Sequence, residues 1–321
     1  MKTRLMRSCS FGVLTDFDQE NVASIYYGIV EEKNLKIAVI SDSGTGWSEK
    51  QAKEKGIFYL PLQVKCGEEE FLDGVDITVE ELYDRLRHGE MPTTSMPPLG
   101  RVEALFEELK EKEYEHVIAV PLSAGISSTA SMIEAAAKRA ELPITMIDPY
   151  TTVNAQGYLA ECAVALAKQG LEPAEIERRL KNSAESANTL LVPDDLEHLK
   201  RGGRLTPLAA ALGSMLKIKP ILQLNISTQG KVDVLDKVRT MSKALSRMVE
   251  AAKEQGFDPA AYELRLLDSE GGENVDTLRR LLEEAFPGCI IERSPVCPVI
   301  AAHTGLGVVA IQYQKKVEGI L

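Results

Sequence analysis

A chain of 321 residues with 44% hydrophobic and 26% charged residues has the composition of a soluble globular protein and the length of two domains. Its formal net charge of -11 argues against a nucleic-acid partner, since most of such a surface repels phosphates. No apolar run approaches the roughly 18 residues needed to cross a bilayer, so we expect no transmembrane segment.

The five cysteines indicate neither a metal site nor a disulfide framework. They are scattered, odd in number and not spaced as metal ligands are. No secretory signal segment is recognisable. We therefore expect a cytoplasmic protein without a metal or a cofactor. Residues 1–35 match no motif, and we treat them as an N-terminal extension of unknown role.

Residues 36–188 carry the pattern of a parallel sheet. Short apolar runs at 36–40, 116–120 and 144–147 each end in a polar loop and are followed by helical periodicity. Unbroken apolar strands that alternate with helices predict an α/β domain with helices on both faces of a parallel sheet. The predicted crossover helices are 102–112, 129–140 and 156–168.

Two further helix starts are marked in this part of the chain. Thr78 and Glu81 have the spacing of a reciprocal capping pair. Pro173, after Gly170, marks the start of the next helix, which we extend from residue 175 to 188.

Residues 189–321 predict a second α/β domain with a mixed sheet. A turn, Arg201-Gly-Gly-Arg204, precedes an apolar helix, and two strands are joined by a hairpin loop at 225–230. The predicted elements are a helix at 209–216, strands at 220–226 and 231–238, a helix at 242–255, a strand at 263–267, a helix at 274–286 and a strand near 299–302.

Hydroxyl side chains cluster where a ligand of an open α/β sheet would bind, just beyond the strand ends. The clusters are Ser41-Asp-Ser-Gly-Thr45, Thr93-Thr-Ser95 and Ser123-Ala-Gly-Ile-Ser-Ser-Thr129. We predict that Ser95, and Ser127 or Ser128, cap the helices that follow. Helix N-termini leave free backbone N–H groups, so two of them facing one crevice would bind a carboxylate or phosphate.

The Arg-Gly-Gly-Arg turn brings positive charge close to an apolar helix. Glycine at 202 and 203 permits a close backbone approach or positive φ, while Arg201 and Arg204 supply permanent charge. The helix is either plain core or the wall of a tunnel for an acyl chain, of which each buried methylene contributes about 0.8 kcal/mol. As tunnel lining we predict Leu208, Leu212, Met215 and Leu216.

Several motifs are missing from the sequence. It contains no Gly-x-x-x-x-Gly-Lys-Ser/Thr loop, no His-Glu-x-x-His and no Gly-x-Ser-x-Gly. A nucleotide site is therefore not expected. Two alternatives to lipid binding stay open, namely an acyl-ester hydrolase with Ser127 or Ser95 as nucleophile and His303 as base, and a binder of a phosphorylated small molecule.

From residue 36 to the C-terminus, this set of motifs resembles the DegV family. Thr93-Thr-Ser-Met-Pro97, Ser127-Ser-Thr129, the Arg-Gly-Gly-Arg turn and His303-Thr-Gly-Leu-Gly307 stand where the family has its characteristic loops. Asp42-Ser43-Gly44 replaces the usual Asp-Ser-Thr. The resemblance implies a DegV-type α/β domain followed by a second α/β domain that covers the lipid.

The best-understood members of that family are the fatty-acid-binding subunits of bacterial fatty acid kinase. The resemblance implies that this protein is not itself an enzyme but binds a long-chain fatty acid between its domains and presents the carboxylate to a partner kinase, whose acyl phosphate product enters phospholipid synthesis. It places Thr94, Ser95, Ser127 and His303 at the carboxylate. As further head-group or partner contacts it suggests Ser43, Ser128, Arg201 and Arg204.

Overall fold

The structure, a computed structural model, describes residues 35–194, 196–212 and 218–320. Residues 35–321 form one compact unit. Of the predicted N-terminal extension, residues 1–34 lie outside the described residues.

A four-stranded parallel sheet forms from the first half of the chain. Its strands, in spatial order, are β2 (Phe58–Leu60), β1 (Ile37–Asp42), β6 (His116–Val120) and β7 (Ile144–Met146). The predicted parallel sheet is confirmed. Strand β2 was not predicted, because three residues are too few to show a periodicity.

Helices cover both faces of the parallel sheet because its side chains alternate between them. Ala38 and Ile40 pack under α3 (Leu99–Glu111) and α4 (Thr129–Ala140). Val39 packs on the opposite face, under α5 (Asn154–Lys168) and α6 (Pro173–Ala184). The central strands β1 and β6 are therefore buried on both sides, which is why their sequences are mostly apolar.

A small antiparallel sheet lies between β2 and α3 in the sequence. It contains β3 (Gln63–Cys66), β4 (Glu69–Leu72) and β5 (Thr93–Ser95), with β3 in the middle. The short helix α1 (Glu49–Glu54) precedes it, and α2 (Val79–Arg87) begins at Thr78, whose capping box with Glu81 is confirmed.

The second sheet has six strands and is mixed, as predicted. Its spatial order is β10-β9-β8-β13-β11-β12, and only β11 and β12 run parallel. The strands are β8 (Asn188–Val192), β9 (Lys219–Asn225), β10 (Asp233–Val238), β11 (Tyr262–Ser269), β12 (Glu292–Pro295) and β13 (Val308–Lys315).

One face of the mixed sheet packs against two long helices, α9 (Met241–Glu254) and α10 (Glu273–Ala285). Along β13, Val309 and Ile311 belong to that core, whereas Val308 and Ala310 point to the other face. The second half of the chain also contains three short helices, namely α7 (Glu197–Gly202), α8 (Pro207–Leu212) and α11 (Pro298–Thr304).

Two element predictions are wrong. The run at 299–302 is part of helix α11, because Pro298 at its first turn presets helical φ and the run is too short to show its period. The last strand is β13 instead. Helix α6 ends at Ala184 and not at 188, because Asn188 already starts the fully buried strand β8.

Candidate functional site

A cavity of about 330 Å³ lies between the loops of the parallel sheet and the free face of the mixed sheet. That volume is typical of a small-molecule site. Most of the lining side chains are apolar and come from both halves of the chain. They include Leu62, Leu122, Leu191, Leu224, Leu267 and Ala310.

The mixed sheet supplies a flat apolar wall because neighbouring strands are in register. Leu191 on β8 and Leu267 on β11 both pair with Ala310 on β13, so the three side chains lie side by side on the same face. All three are buried. Alanine in the middle leaves a trough between two leucines.

His303 and Thr94 meet at one end of the cavity. His303 lies in the last turn of α11, and its Nε2 is 2.6 Å from the Oγ1 of Thr94 on β5. Burial, reinforced by the charges of Arg204 and His198, lowers the pKa of His303 to about 4. The imidazole is therefore neutral at neutral pH, so one ring nitrogen donates and the other accepts.

The two glycines of the Arg-Gly-Gly-Arg turn serve different purposes. Gly202 lies against the imidazole, so that a Cβ added there would be 2.2 Å from Nδ1 of His303. Gly203 ends α7 in the left-handed region with φ of 68°, and nothing lies near its missing side chain. Gly202 thus gives His303 its space, and Gly203 turns the chain.

Replacing Gly202 by alanine is expected to lower the free energy of unfolding by about 1–3 kcal/mol, because the methyl group must displace the buried ring. Gly203→Asn is the matched control, since asparagine tolerates positive φ and meets no neighbour there. Urea denaturation of both variants checks this. Equal losses at the two positions would contradict the assigned roles.

Arg204 joins the same end of the cavity. Its Nε donates to the carbonyl oxygen of Ile126 at 3.2 Å, next to Ser127, and a terminal nitrogen donates to the carbonyl of Gly202. Its side chain lines the cavity, and burial lowers its pKa. Within the described ranges no carboxylate pairs with this guanidinium, so an anion would find an uncompensated positive charge there.

Ser127 lies at the start of α4 without being its N-cap residue. Its Oγ is 2.8 Å from Oγ1 of Thr129 and accepts the backbone N–H of Thr129 at 3.2 Å. Ser128 has the N-cap position but its side chain caps nothing. The prediction that Ser95 caps α3 is wrong, because β5 continues through Ser95 and α3 starts only after Pro98.

The structure thus brings together most of the predicted polar residues. Lining one cavity are Thr94, Ser95, Ser127, Ser128, Arg204 and His303. Ser95 and Ser128 are exposed, whereas the apolar wall is buried, so the polar end is the one that opens to the surface.

Other predicted residues lie elsewhere. Ser43 is fully buried and accepts the N–H of Leu62. Arg201 is exposed and pairs with Glu197 at 2.7 Å. Neither lines the cavity.

Leu208 does not line the cavity either, and its side chain is 64% exposed. In the described part of α8, Ala209 is buried and the neighbouring Leu208 faces outward. The side chain of Leu212, and Met215 and Leu216 as a whole, lie outside the described residues.

A buried carboxylate holds the helix that carries His303. Asp73 is 2% exposed, and its Oδ2 accepts the N–H of Val299 in the first turn of α11 at 3.2 Å. Burial raises its pKa from 3.8 to about 7, although the bonds from Val299 and Ser43 favour the ionised form.

We expect this group to make the fold less stable as pH rises. Because the folded-state pKa lies above the unfolded value, the stabilisation is complete below about pH 4 and is lost as pH passes about 7. Asp73→Asn should flatten the pH dependence of the unfolding free energy between these values by about 1 kcal/mol per pH unit. Urea denaturation at a series of pH values checks this, and parallel profiles for the two proteins would contradict it.

The geometry does not assemble a serine hydrolase. Ser95 accepts from the amide of Gln63 and Ser127 bonds to Thr129, whereas His303 bonds to Thr94. No carboxylate in the described part of the chain hydrogen-bonds His303 to orient it as a base. Likewise, residues 35–194, 196–212 and 218–320 contain no group of three or more metal-ligating side chains suited to an ion.

The free cysteines of the described chain are Cys66, Cys162, Cys289 and Cys297. None of the helices that the structure describes is long and apolar enough to cross a membrane.

Comparisons with known proteins agree on one family. A family model described as "Uncharacterised protein, DegV family" matches residues 36–316. The protein DegV of Bacillus subtilis is 34% identical over 282 residues, which cover 86% of this chain and 98% of that protein. A DegV domain-containing protein of Streptococcus pneumoniae is 32% identical, covering 87% and 99%.

Solved structures with the same fold include two described as fatty acid binding. SAG1342 from Streptococcus agalactiae, a fatty acid binding DegV family protein, superposes with a TM-score of 0.80 at 30% identity, covering 88% of this chain and 99% of that one. DegV from Bacillus subtilis, described as a fatty acid binding protein, gives 0.78 at 32%, covering 88% and 100%.

Proposed function

This chain belongs to the DegV family, and on that premise we propose that it binds a long-chain fatty acid. The observation that carries the proposal is the cavity itself, which has apolar walls and a polar end that opens to the surface. An amphiphile with a single anionic head and a long alkyl tail fits both features. Relatives of known structure are described as fatty acid binding.

The carboxylate is bound at the polar end. The hydroxyls of Thr94, Ser95 and Ser127 donate to its oxygens, and neutral His303 donates to Thr94 so that the threonine proton points to the ligand. Arg204 supplies the balancing charge without a carboxylate of its own in the described chain. Hydrogen bonds to an ionised group are stronger than those between neutral groups, so this end fixes the orientation.

The acyl chain lies in the trough formed by Leu191, Ala310 and Leu267. At about 0.8 kcal/mol per buried methylene, the tail supplies most of the affinity. A phosphorylated small molecule would leave these walls dry and empty, so we do not favour that alternative.

Native mass spectrometry tests the binding. Delipidated protein should gain the mass of one long-chain fatty acid when it is added, and an excess of a phosphate ester such as glycerol 3-phosphate should not displace it. If the protein gains no mass when fatty acids are added, or if it binds the phosphate ester instead, the proposal is wrong.

The bound carboxylate is presented to a partner kinase that phosphorylates it. The exposed hydroxyls of Ser95 and Ser128 mark where the head group reaches the surface, and Arg201, exposed on the neighbouring turn, is placed for a partner contact. Phosphoryl transfer requires mainly positioning and charge stabilisation, which two proteins can share.

Hydroxylamine trapping of acyl phosphate tests the presentation. The loaded protein with Mg-ATP alone should form no hydroxamate, and adding the catalytic subunit of a bacterial fatty acid kinase should produce it. A product without the kinase subunit, or none with it, would contradict the proposal.

A further inference from the structure

The cavity has a second polar end, which is buried in the molecule. Thr152, Thr189 and Gln312 form this end, and we call them the polar floor. They are 5%, 7% and 2% exposed, respectively. Strand β13 starts at Val308, close behind α11, and reaches Gln312 four residues later, about 13 Å away at 3.3 Å per residue.

The floor is fixed by its own hydrogen bonds. The amide nitrogen of Gln312 donates to the carbonyl oxygen of Thr152 at 2.7 Å and to the Oγ1 of Thr189 at 2.9 Å. Its amide oxygen accepts the N–H of Ala155 at 3.2 Å. Both ends of the side chain are therefore engaged, and the amide cannot swing aside without losing buried bonds.

The first turn of α5 closes the space behind this floor. Gln314, the next residue of β13 on the same face, donates to the carbonyl of Ala155 at 3.2 Å and does not line the cavity. Two glutamines on one strand thus hold the backbone N–H and C=O of a single residue. The wall of the cavity ends at Gln312.

A hydrocarbon end can touch this floor but cannot extend past it. The polar groups of the floor all have hydrogen-bond partners within the protein, so contact with a terminal methyl group costs little. Displacing Gln312 would leave buried amide groups without hydrogen-bond partners. The free-energy cost of this exceeds the gain from burying one further methylene group. An aliphatic floor, by contrast, could change rotamer and lengthen the space.

We propose that Thr189 and Gln312 determine the maximum length of the acyl chain that this protein accepts, a role that rests on the proposed function. The ligand class is a straight-chain fatty acid whose methyl end stops at the floor. Affinity for the fatty acid should fall sharply above one chain length and should depend less steeply on chain length below it.

An equimolar series of saturated straight-chain fatty acids of increasing length, offered to delipidated protein and read by native mass spectrometry, tests this. The wild type should show an abrupt upper limit. Thr189→Ala removes part of the floor and should move the limit upward, so that an acid two methylenes beyond the wild-type limit binds about tenfold more tightly. Thr152→Ala opens the same end from the other half and should act likewise.

Two controls test the role of the hydroxyl and the direction in which the cavity is enlarged. Thr189→Ser keeps the hydroxyl that accepts from Gln312, so the floor stays fixed and the limit should change little. Leu267→Ala widens the side wall and should also leave it unchanged. An unmoved limit in both alanine variants of the floor, or the same shift in Leu267→Ala, would overturn the proposal. A wild type that binds no fatty acid would overturn the proposed function as well, so the two failures are distinguishable.

Discussion

Ala310→Phe is expected to reduce fatty-acid affinity by about 100-fold or more. Ala310 is buried between Leu191 and Leu267, in the middle of the trough proposed for the acyl chain. A phenyl ring can project only into the cavity, because the strands on either side are fixed by their ladders. Excluding about four methylenes at 0.8 kcal/mol each accounts for a loss of that size.

Isothermal titration with a long-chain fatty acid measures this effect. Ala310→Ser, which is nearly the same size, is the matched control and should bind within a few-fold of the wild type. The phenylalanine variant should remain folded, since its ring fills existing space, and thermal unfolding checks that point. Wild-type affinity in a folded Ala310→Phe protein would mean that the acyl chain lies elsewhere.

Thr94→Val is expected to weaken binding of the free acid by about 10- to 100-fold, the range for a lost hydrogen bond to a charged group. This hydroxyl contacts His303, and in the proposed binding mode it also donates to the head group. The methyl ester of the same fatty acid carries no charge, so the variant should bind it almost as the wild type does.

Thr93→Val is the control for this substitution. It makes the same chemical change one residue earlier on β5, at an exposed position that does not line the cavity. Affinities for acid and ester, compared across the three proteins, check the prediction. An equal loss for acid and ester in Thr94→Val would show that the threonine affects the fold of the site and not the carboxylate.

Much of the fold could be predicted because its strands are short, apolar and separated by helices. The runs that became β1 and β6 are buried on both faces, so their sequence carries the signal without any knowledge of the partners. The run before His303 misled for the opposite reason. The four apolar residues at 299–302 fit a strand or a helix equally, and the contact with Asp73 that supports the helix comes from far away in the sequence.

The polar end of the cavity was predictable from its loops, but its walls were not. Ser95 and Ser127 stand out as hydroxyls in loops before helices, and the family resemblance adds Thr94 and His303. Leu191 and Ala310 look like ordinary core, because which face of a strand meets a cavity depends on the other half of the chain. The alternation around Ala310 contained part of that signal, ending in the polar residue Gln312.

For the apolar helix after the Arg-Gly-Gly-Arg turn, too, the sequence does not show which side chains face the cavity. Leu208 was placed in the tunnel because it neighbours small residues, yet it faces outward. Five apolar residues in succession, Leu208 to Leu212 with three alanines between them, form no stripe that defines a buried side. The roles predicted for the two glycines of the turn are both found in the structure. Gly202 is needed for a close approach to His303, and Gly203 has positive φ.

A crystal structure of the protein with a bound long-chain fatty acid tests the central claim most directly. We predict difference density for one carboxylate within hydrogen-bonding distance of Thr94 and Ser127, continuous with an alkyl chain that passes Ala310 towards Gln312. Density for the head group at the buried floor, or a ligand outside this cavity while the cavity stays empty, would contradict the account.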